Sequence, residues 1–260
     1  MTVIDMPCRG IKSHCRRYLA TTLALLSIVM GGFSFADSTV LIALFSSMDP
    51  AKGISAPWQV LTFPNIDRHT EYRAITMEAS TVIRAHSRAG ASGLIHELDL
   101  SPNHYPWLCW RWRIEHTLEK GDLTTKQGDD CAARIYVAFQ FIAEGKTLWE
   151  RFRHRAACVA AGKQLPGSAL TYVWANKAAP GAIIDSPYAQ RSKMVVVESG
   201  NALASQWIDE KRNIEQDYRV AFGQAPPPVM GIAIMTDTDN TGESTSAYYG
   251  DIRIKKTGAE

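Results

Sequence analysis

The chain has 260 residues, 46% of them hydrophobic, with 28 Lys and Arg against 26 Asp and Glu. Four of the 28 bases and one of the 26 acids fall in the first 36 positions, so the remaining 224 residues carry 24 against 25, a net charge of −1. That balance argues against a nucleic-acid or other polyanion partner, and no G-x-G-x-x-G or Walker loop marks a nucleotide site.

Arg9, Lys12, Arg16 and Arg17 precede an apolar run from Leu19 to Met30, then Gly31-Gly32 and Ser34-Phe35-Ala36. Positive, apolar and small-residue regions in that order predict a signal peptide over residues 1–36, cleaved after Ala36. The apolar run of about 12 residues falls short of the roughly 20 that a membrane span needs. An uncleaved N-terminal anchor is the alternative. No membrane span is expected after leader cleavage, and the expected location is periplasmic or secreted.

Residues 37–57 read as a loosely held N-terminal arm and residues 58–260 as one β-sandwich domain. From Trp58 onward, short apolar or alternating runs are broken by turn residues, the pattern of a sandwich or barrel. Strands are expected near 58–63, 72–78, 81–87, 93–98, 108–114, 132–141, 169–176, 193–198, 206–213, 229–236 and 247–254. Two segments break the pattern. Thr147–Ala161 runs to Gly162 without Gly or Pro, and Ile214, Tyr218 and Phe222 recur at helical spacing before Gly223, so both are expected to be helices. The fold class is all-β: a sandwich of two antiparallel sheets with one or two short helical insertions.

Strand alternation sorts the side chains. Trp110, Trp112 and Ile114 share one face, Arg111 and Arg113 the other. Ala133, Ile135, Val137 and Phe139 oppose Arg134 and Tyr136; Tyr172, Trp174 and Asn176 oppose Thr171, Val173 and Ala175. The faces carrying Arg, Tyr, Trp or Asn are either an ordinary solvated exterior or a ligand-holding surface. Cys109, Cys131 and Cys158 follow the leader, enough for at most one internal disulfide, and no Cys or His spacing suits zinc.

Trp110-Arg111-Trp112-Arg113, Gly128-Asp129-Asp130-Cys131-Ala132-Ala133-Arg134-Ile135-Tyr136-Val137, Tyr172-Val173-Trp174-Ala175-Asn176, Ser186-Pro187-Tyr188 and Met235-Thr236-Asp237-Thr238-Asp239-Asn240-Thr241-Gly242 occur in this order. Together they resemble the bacterial family of domain of unknown function 3047, from Trp58 to Ile254. The resemblance implies a secreted or periplasmic protein of unassigned activity and, by fold analogy, a jelly-roll sandwich like those of carbohydrate-binding modules. Cys109 and Cys131 depart from the family pattern, which weakens any cysteine-based role.

Asp237-Thr238-Asp239-Asn240-Thr241-Gly242 is the densest oxygen-ligand run. It resembles the first half of a calcium loop, but the twelfth position is Tyr248 rather than an acid. A turn whose Asp and Asn side chains bond their own backbone is the other reading. Chain direction places Asp129, Asp130, Arg134, Trp174, Asn176 and Arg191 at one rim. Asp237, Asp239 and Asn240 join them if residues 214–229 cross the sandwich. With Tyr172 added for stacking, these ten residues form the expected ligand site. No cofactor is expected, calcium being the one candidate. The expected role is non-catalytic binding of a glycan or envelope ligand. The alternatives are a glycoside hydrolase or polysaccharide lyase using rim carboxylates, a buried ion-pair network, and an envelope interaction scaffold.

Overall fold

The computed structural model describes residues 39–162 and 164–256; the expected leader lies outside them. The strands begin with β1 (Thr39–Ala43), β2 (Gln59–Leu61), β3 (Glu71–Met77), β4 (Ser80–Arg88) and β5 (Gly93–Leu100). They continue with β6 (Trp107–Ile114), β7 (Ala133–Phe139), β8 (Ser168–Ala175), β9 (Ile183–Asp185) and β10 (Ser192–Ser199). The last are β11 (Ile208–Asn213), β12 (Val229–Met235) and β13 (Ser244–Lys255). Helix α1 (Leu148–Ala161) joins β7 to β8, and α2 (Ile214–Phe222) joins β11 to β12.

Sheet A has six strands in the order β11-β6-β13-β4-β3, with β1 also paired to β13; sheet B has seven in the order β2-β5-β12-β7-β8-β10-β9. From β4 to β7, and again from β10 to β13, each strand lies in the sheet opposite its predecessor, the crossing pattern of a jelly-roll-like sandwich. The expected all-antiparallel pairing has one exception: β8 and β10 are parallel. After β8 the chain descends through the short β9 before β10 begins, so β10 must run in the direction of β8.

The core forms where the inward faces meet. Trp110 and Trp112 of β6 face Tyr172 and Trp174 of β8, with ring centroids 5.2 Å (Trp110–Tyr172) and 5.9 Å (Trp112–Trp174) apart. Such pairs add about 0.5–1.5 kcal/mol each beyond the area they bury. Ala133, Ile135, Val137 and Phe139 of β7 point into the same core, as their alternation requires.

Both helices start and stop on local chemistry. Thr147 and Glu150 form a capping box ahead of α1, and Gly162 ends it in the left-handed conformation. Asn213 caps α2 through Gln216 N, and Glu215 and Asp217 sit in its first turn, where the helix dipole favours acids. Ile214 N donates to Pro106 O (2.8 Å), and Tyr218 packs 4.6 Å from Phe139. Helix α2 therefore closes the base of the sandwich: residues 214–229 do not cross it as expected, and β12 carries the chain from base to rim.

The segment 39–57 is not a loose arm. Strand β1 pairs with β13, Phe45 is fully buried, and Ser46 binds Asp251 through both its N–H and its hydroxyl. Among the described residues Cys109, Cys131 and Cys158 are all free thiols, so the one allowed disulfide does not form. We expect Phe45→Ala to cost about 3–5 kcal/mol in urea unfolding, the range for emptying a buried aromatic site; a merely tethered arm would show almost no change.

Candidate functional site

The rim gathers two segments a hundred residues apart. Arg134 is the outward side chain of β7 nearest the rim, and its strand partner Met235 places Asp237 two residues beyond the end of β12. The buried guanidinium donates from Nε to Asp237 Oδ1 (3.0 Å) and from Nη2 to Asp129 Oδ1 (2.9 Å) and Asp129 O (2.7 Å). Cys131 N donates to Asp237 Oδ1 (3.1 Å), and Asp237 N returns a bond to Cys131 O (3.2 Å). Asp130 accepts from Thr241 N (2.6 Å), Asn240 Nδ2 (3.0 Å) and Asn240 N (3.4 Å). Asn176 completes the knot: its Nδ2 donates to Asp130 O (2.9 Å) and its Oδ1 accepts from Leu118 N (2.9 Å). Only glycine fits at position 121, since a Cβ there would lie 1.7 Å from Asn176 Nδ2.

Burial pushes the Asp237 carboxyl well up, with Arg134 pulling it back and Asp130 and Asp129 adding to the rise. Asp239 is also raised, by burial first and then by Asp130. Burial alone would lower Arg134, but Asp237 beside it keeps the guanidinium charged. Asp130, Asp237 and Asp239 each offer an oxygen within 4.8 Å of the other two, a spacing that could hold a hard cation. Asp130 and Asp237, however, already accept protein N–H donors. Tyr248, at the twelfth position of the loop, turns its hydroxyl to Glu115 instead (2.7 Å). The arrangement is a buried ion-pair clasp joining the two loops.

Three of the ten expected site residues lie elsewhere. Tyr172 and Trp174 face the inter-sheet core: Tyr172 bonds Asp217 (2.9 Å), itself held by Arg212, and Trp174 Nε1 donates to Gly200 O (3.0 Å). Neither ring is open for stacking, because β8 is interior to sheet B and both its faces are covered. Arg191 sits at the base, where its carbonyl accepts from Ala169 N (2.9 Å). About seven residues of β8 separate it from Asn176, roughly 23 Å at strand rise. Tyr188 of the same loop does reach the rim, its single hydroxyl proton shared between Asn240 Oδ1 (2.6 Å) and Lys126 O (2.9 Å).

An open site lies on the outer face of sheet A. A cavity of about 460 Å³ is lined by Ser46, Thr81, Cys109, Arg111, Asp209, Asp251 and Arg253 among others. Arg111 of β6 stands opposite Asp209 of β11 in register. Its guanidinium lies 4.2 Å over the Trp207 ring. Its side chain crosses β13 at Gly250, where a Cβ would meet Arg111 Cγ at 2.5 Å, next to an irregularity in the β13–β6 register. Among the described residues, Arg111 has no acceptor and the Asp209 carboxylate no hydrogen bond or ion pair. Two signals for this groove were present in the sequence: the outward Arg between two tryptophans, and a lone Gly inside a strand pattern.

On the opposite side of β11, Glu210 accepts from Trp112 Nε1 (3.3 Å). Burial, followed by the nearby Glu198, raises its carboxyl from 4.5 to about 7. The folded chain thus holds a proton that the unfolded chain releases, so this contribution to stability is full below pH 4.5 and is lost as pH rises through 7. The gap between the urea midpoints of Glu210→Gln and wild type should widen in favour of the variant from pH 4.5 to 7.5; a constant gap would refute the shift. At the clasp, Arg134→Met strands two buried carboxylates and should cost about 3–5 kcal/mol in the same assay.

Solved structures resemble the fold loosely. The K1 cleaved adhesin domain of Lys-gingipain from Porphyromonas gingivalis W83 is 13% identical, with 85% of this chain and 99% of that one covered at a TM-score of 0.37. TmCBM61, solved with β-1,4-galactotriose, is 9% identical over 83% of this chain and 100% of its own, at 0.35. The family 30 carbohydrate-binding module of a cellulosomal cellulase of Clostridium thermocellum is 11% identical over 85% and 98%, at 0.36. Overlap this loose says nothing about what the chain binds. No curated protein matches the sequence. The model of the family described as "Protein of unknown function (DUF3047)" matches residues 56–253, and the chain belongs to that family.

Proposed function

We propose that the domain is a non-catalytic binding module, periplasmic or secreted, that holds a glycan in the groove on sheet A. The observation that carries this reading is the pairing of Arg111 with Asp209. One is a planar donor fork and the other a carboxylate acceptor; they stand side by side on neighbouring strands of the groove. Among the described residues neither makes a hydrogen bond or an ion pair, the guanidinium only resting on the Trp207 ring. Vicinal sugar hydroxyls donate and accept at once, so such a pair suits them better than it suits an apolar or singly charged ligand. Ser46 and Arg253 on Asp251 give the groove a fixed polar wall.

The arrangement of acids favours binding over hydrolysis. A glycosidase needs two carboxyl groups facing one open cleft. At the rim, Asp129 and Asp237 are both tied to the same buried guanidinium. In the groove, Asp209 and Asp251 both line the cavity, but Asp251 is engaged by Arg253 and Ser46, which leaves one unpaired carboxylate there, and the Glu210 carboxyl turns to Trp112 on the core side of β11.

A glycan array probed with the purified chain tests the reading. Wild type should be retained on a subset of glycans, and Arg111→Ala and Asp209→Ala should each weaken retention at least about tenfold, or 1.4 kcal/mol. Calcium and a chelator should give the same result, because Asp130 and Asp237 are occupied from within. Retention that survives both substitutions, or vanishes with the chelator, would move the site away from the groove.

A further inference from the structure

Helix α1 inverts the usual arrangement of an amphipathic helix. At 3.6 residues per turn, Leu148, Val159, Phe152, Ala156, Trp149 and Ala160 fall in that angular order over an arc of roughly 120° without a polar interruption. A helix with such a stripe ordinarily turns it to the core. Here no residue of α1 is buried, and Leu148, Trp149, Phe152 and Val159 are 84%, 66%, 62% and 76% exposed. The helix touches the body through its opposite side instead. The His154 ring stacks on Phe141 with centroids 3.8 Å apart, and Cys158 Sγ accepts from Leu165 N (3.3 Å).

Charge frames the exposed stripe. Arg151 and Arg155 follow one border and Arg153 the other; all three are exposed, and none forms a salt bridge among the described residues. Glu150, the helix's one acid, is committed to the Thr147 cap. The Trp149 and Phe152 rings stack 5.7 Å apart within the stripe. We propose that α1 is an interfacial anchor that lays the base of the sandwich on an anionic lipid surface.

The shape and the chemistry favour a bilayer as occupant. The stripe is a convex ridge about 21 Å long, and the hollow that adjoins it, lined by Phe141, His154, Cys158 and Val159 among others, touches only its Val159 end. A fluid interface accepts such a ridge, with the apolar arc a few ångströms into the acyl boundary and arginines on both flanks at the level of the phosphates. Trp149 has the residue type favoured at that depth. The reading is independent of the glycan groove, which lies on other strands.

Sedimentation with vesicles tests it, using the chain from Ser38 on, which forms a compact unit of its own. Wild type should pellet with vesicles of mixed phosphatidylglycerol and phosphatidylcholine, and at least tenfold less with phosphatidylcholine alone or in about 0.5 M salt. The double variant Trp149→Ser/Phe152→Ser and the triple variant Arg151→Gln/Arg153→Gln/Arg155→Gln should each lose at least tenfold, with urea midpoints unchanged because no altered side chain is buried. Failure of wild type to bind anionic vesicles overturns the proposal, as does full binding by both variants. So does a wild-type dimer that the Trp149/Phe152 variant converts to monomer with no vesicle binding.

Discussion

A guanidinium buried in a protein must be matched on nearly every donor, and Arg134 imposes that demand on the whole rim. Its Nε and Nη2 are satisfied only when Asp129 and Asp237 arrive from loops a hundred residues apart. Once they are in place, Cys131 N donates to the Asp237 carboxylate and Asp237 N to Cys131 O, and Asp130 collects the N–H groups of residues 240 and 241. The loops carry little regular structure of their own. They behave as one body because separating them would leave charges in the interior, a far larger penalty than the loss of a surface contact. The motif that made the family recognisable therefore reads best as a fastening. The chemistry that faces solvent lies elsewhere.

Much of this was legible in the sequence because it depends on local periodicity. Alternation put Trp110 and Trp112 opposite Arg111, and Thr147, Gly162, Asn213 and Gly223 mark helix ends by their own chemistry. Strand directions put Asp129 and Asp130 at the rim, but Asp237 and Asn240 were expected there only if residues 214–229 crossed the sandwich; they reach it by β12 instead. Alternation cannot say which face of a strand turns inward when both are apolar, and there Tyr172 and Trp174 were misassigned. Arg191 failed for a related reason: its position depends on β9, a three-residue strand too short to leave a pattern. Strand β1 was missed because its partner is at the other end of the chain. The groove depends on Gly250 only once Arg111 lies across it, a relation between two strands that neither strand displays alone.

The sandwich thus separates its tasks in space. Rim loops hold shape, the flank of sheet A offers unspent donors and acceptors, and the base carries an apolar ridge that the core never recruited. None of the three shares a side chain with another, so each can change without disturbing its neighbours.

Strand β13 has a consequence for the order in which the chain can fold. It is the central member of sheet A, paired with β1, β4 and β6, yet it is the last strand in chain order among the described residues. A ribosome delivers its three neighbours long before the strand that joins them. Until then sheet A has no middle, and the pairs β3–β4 and β6–β11 have no strand to join them. Closure comes late, through contacts spanning most of the chain, the kind that makes β-sandwiches slow to fold.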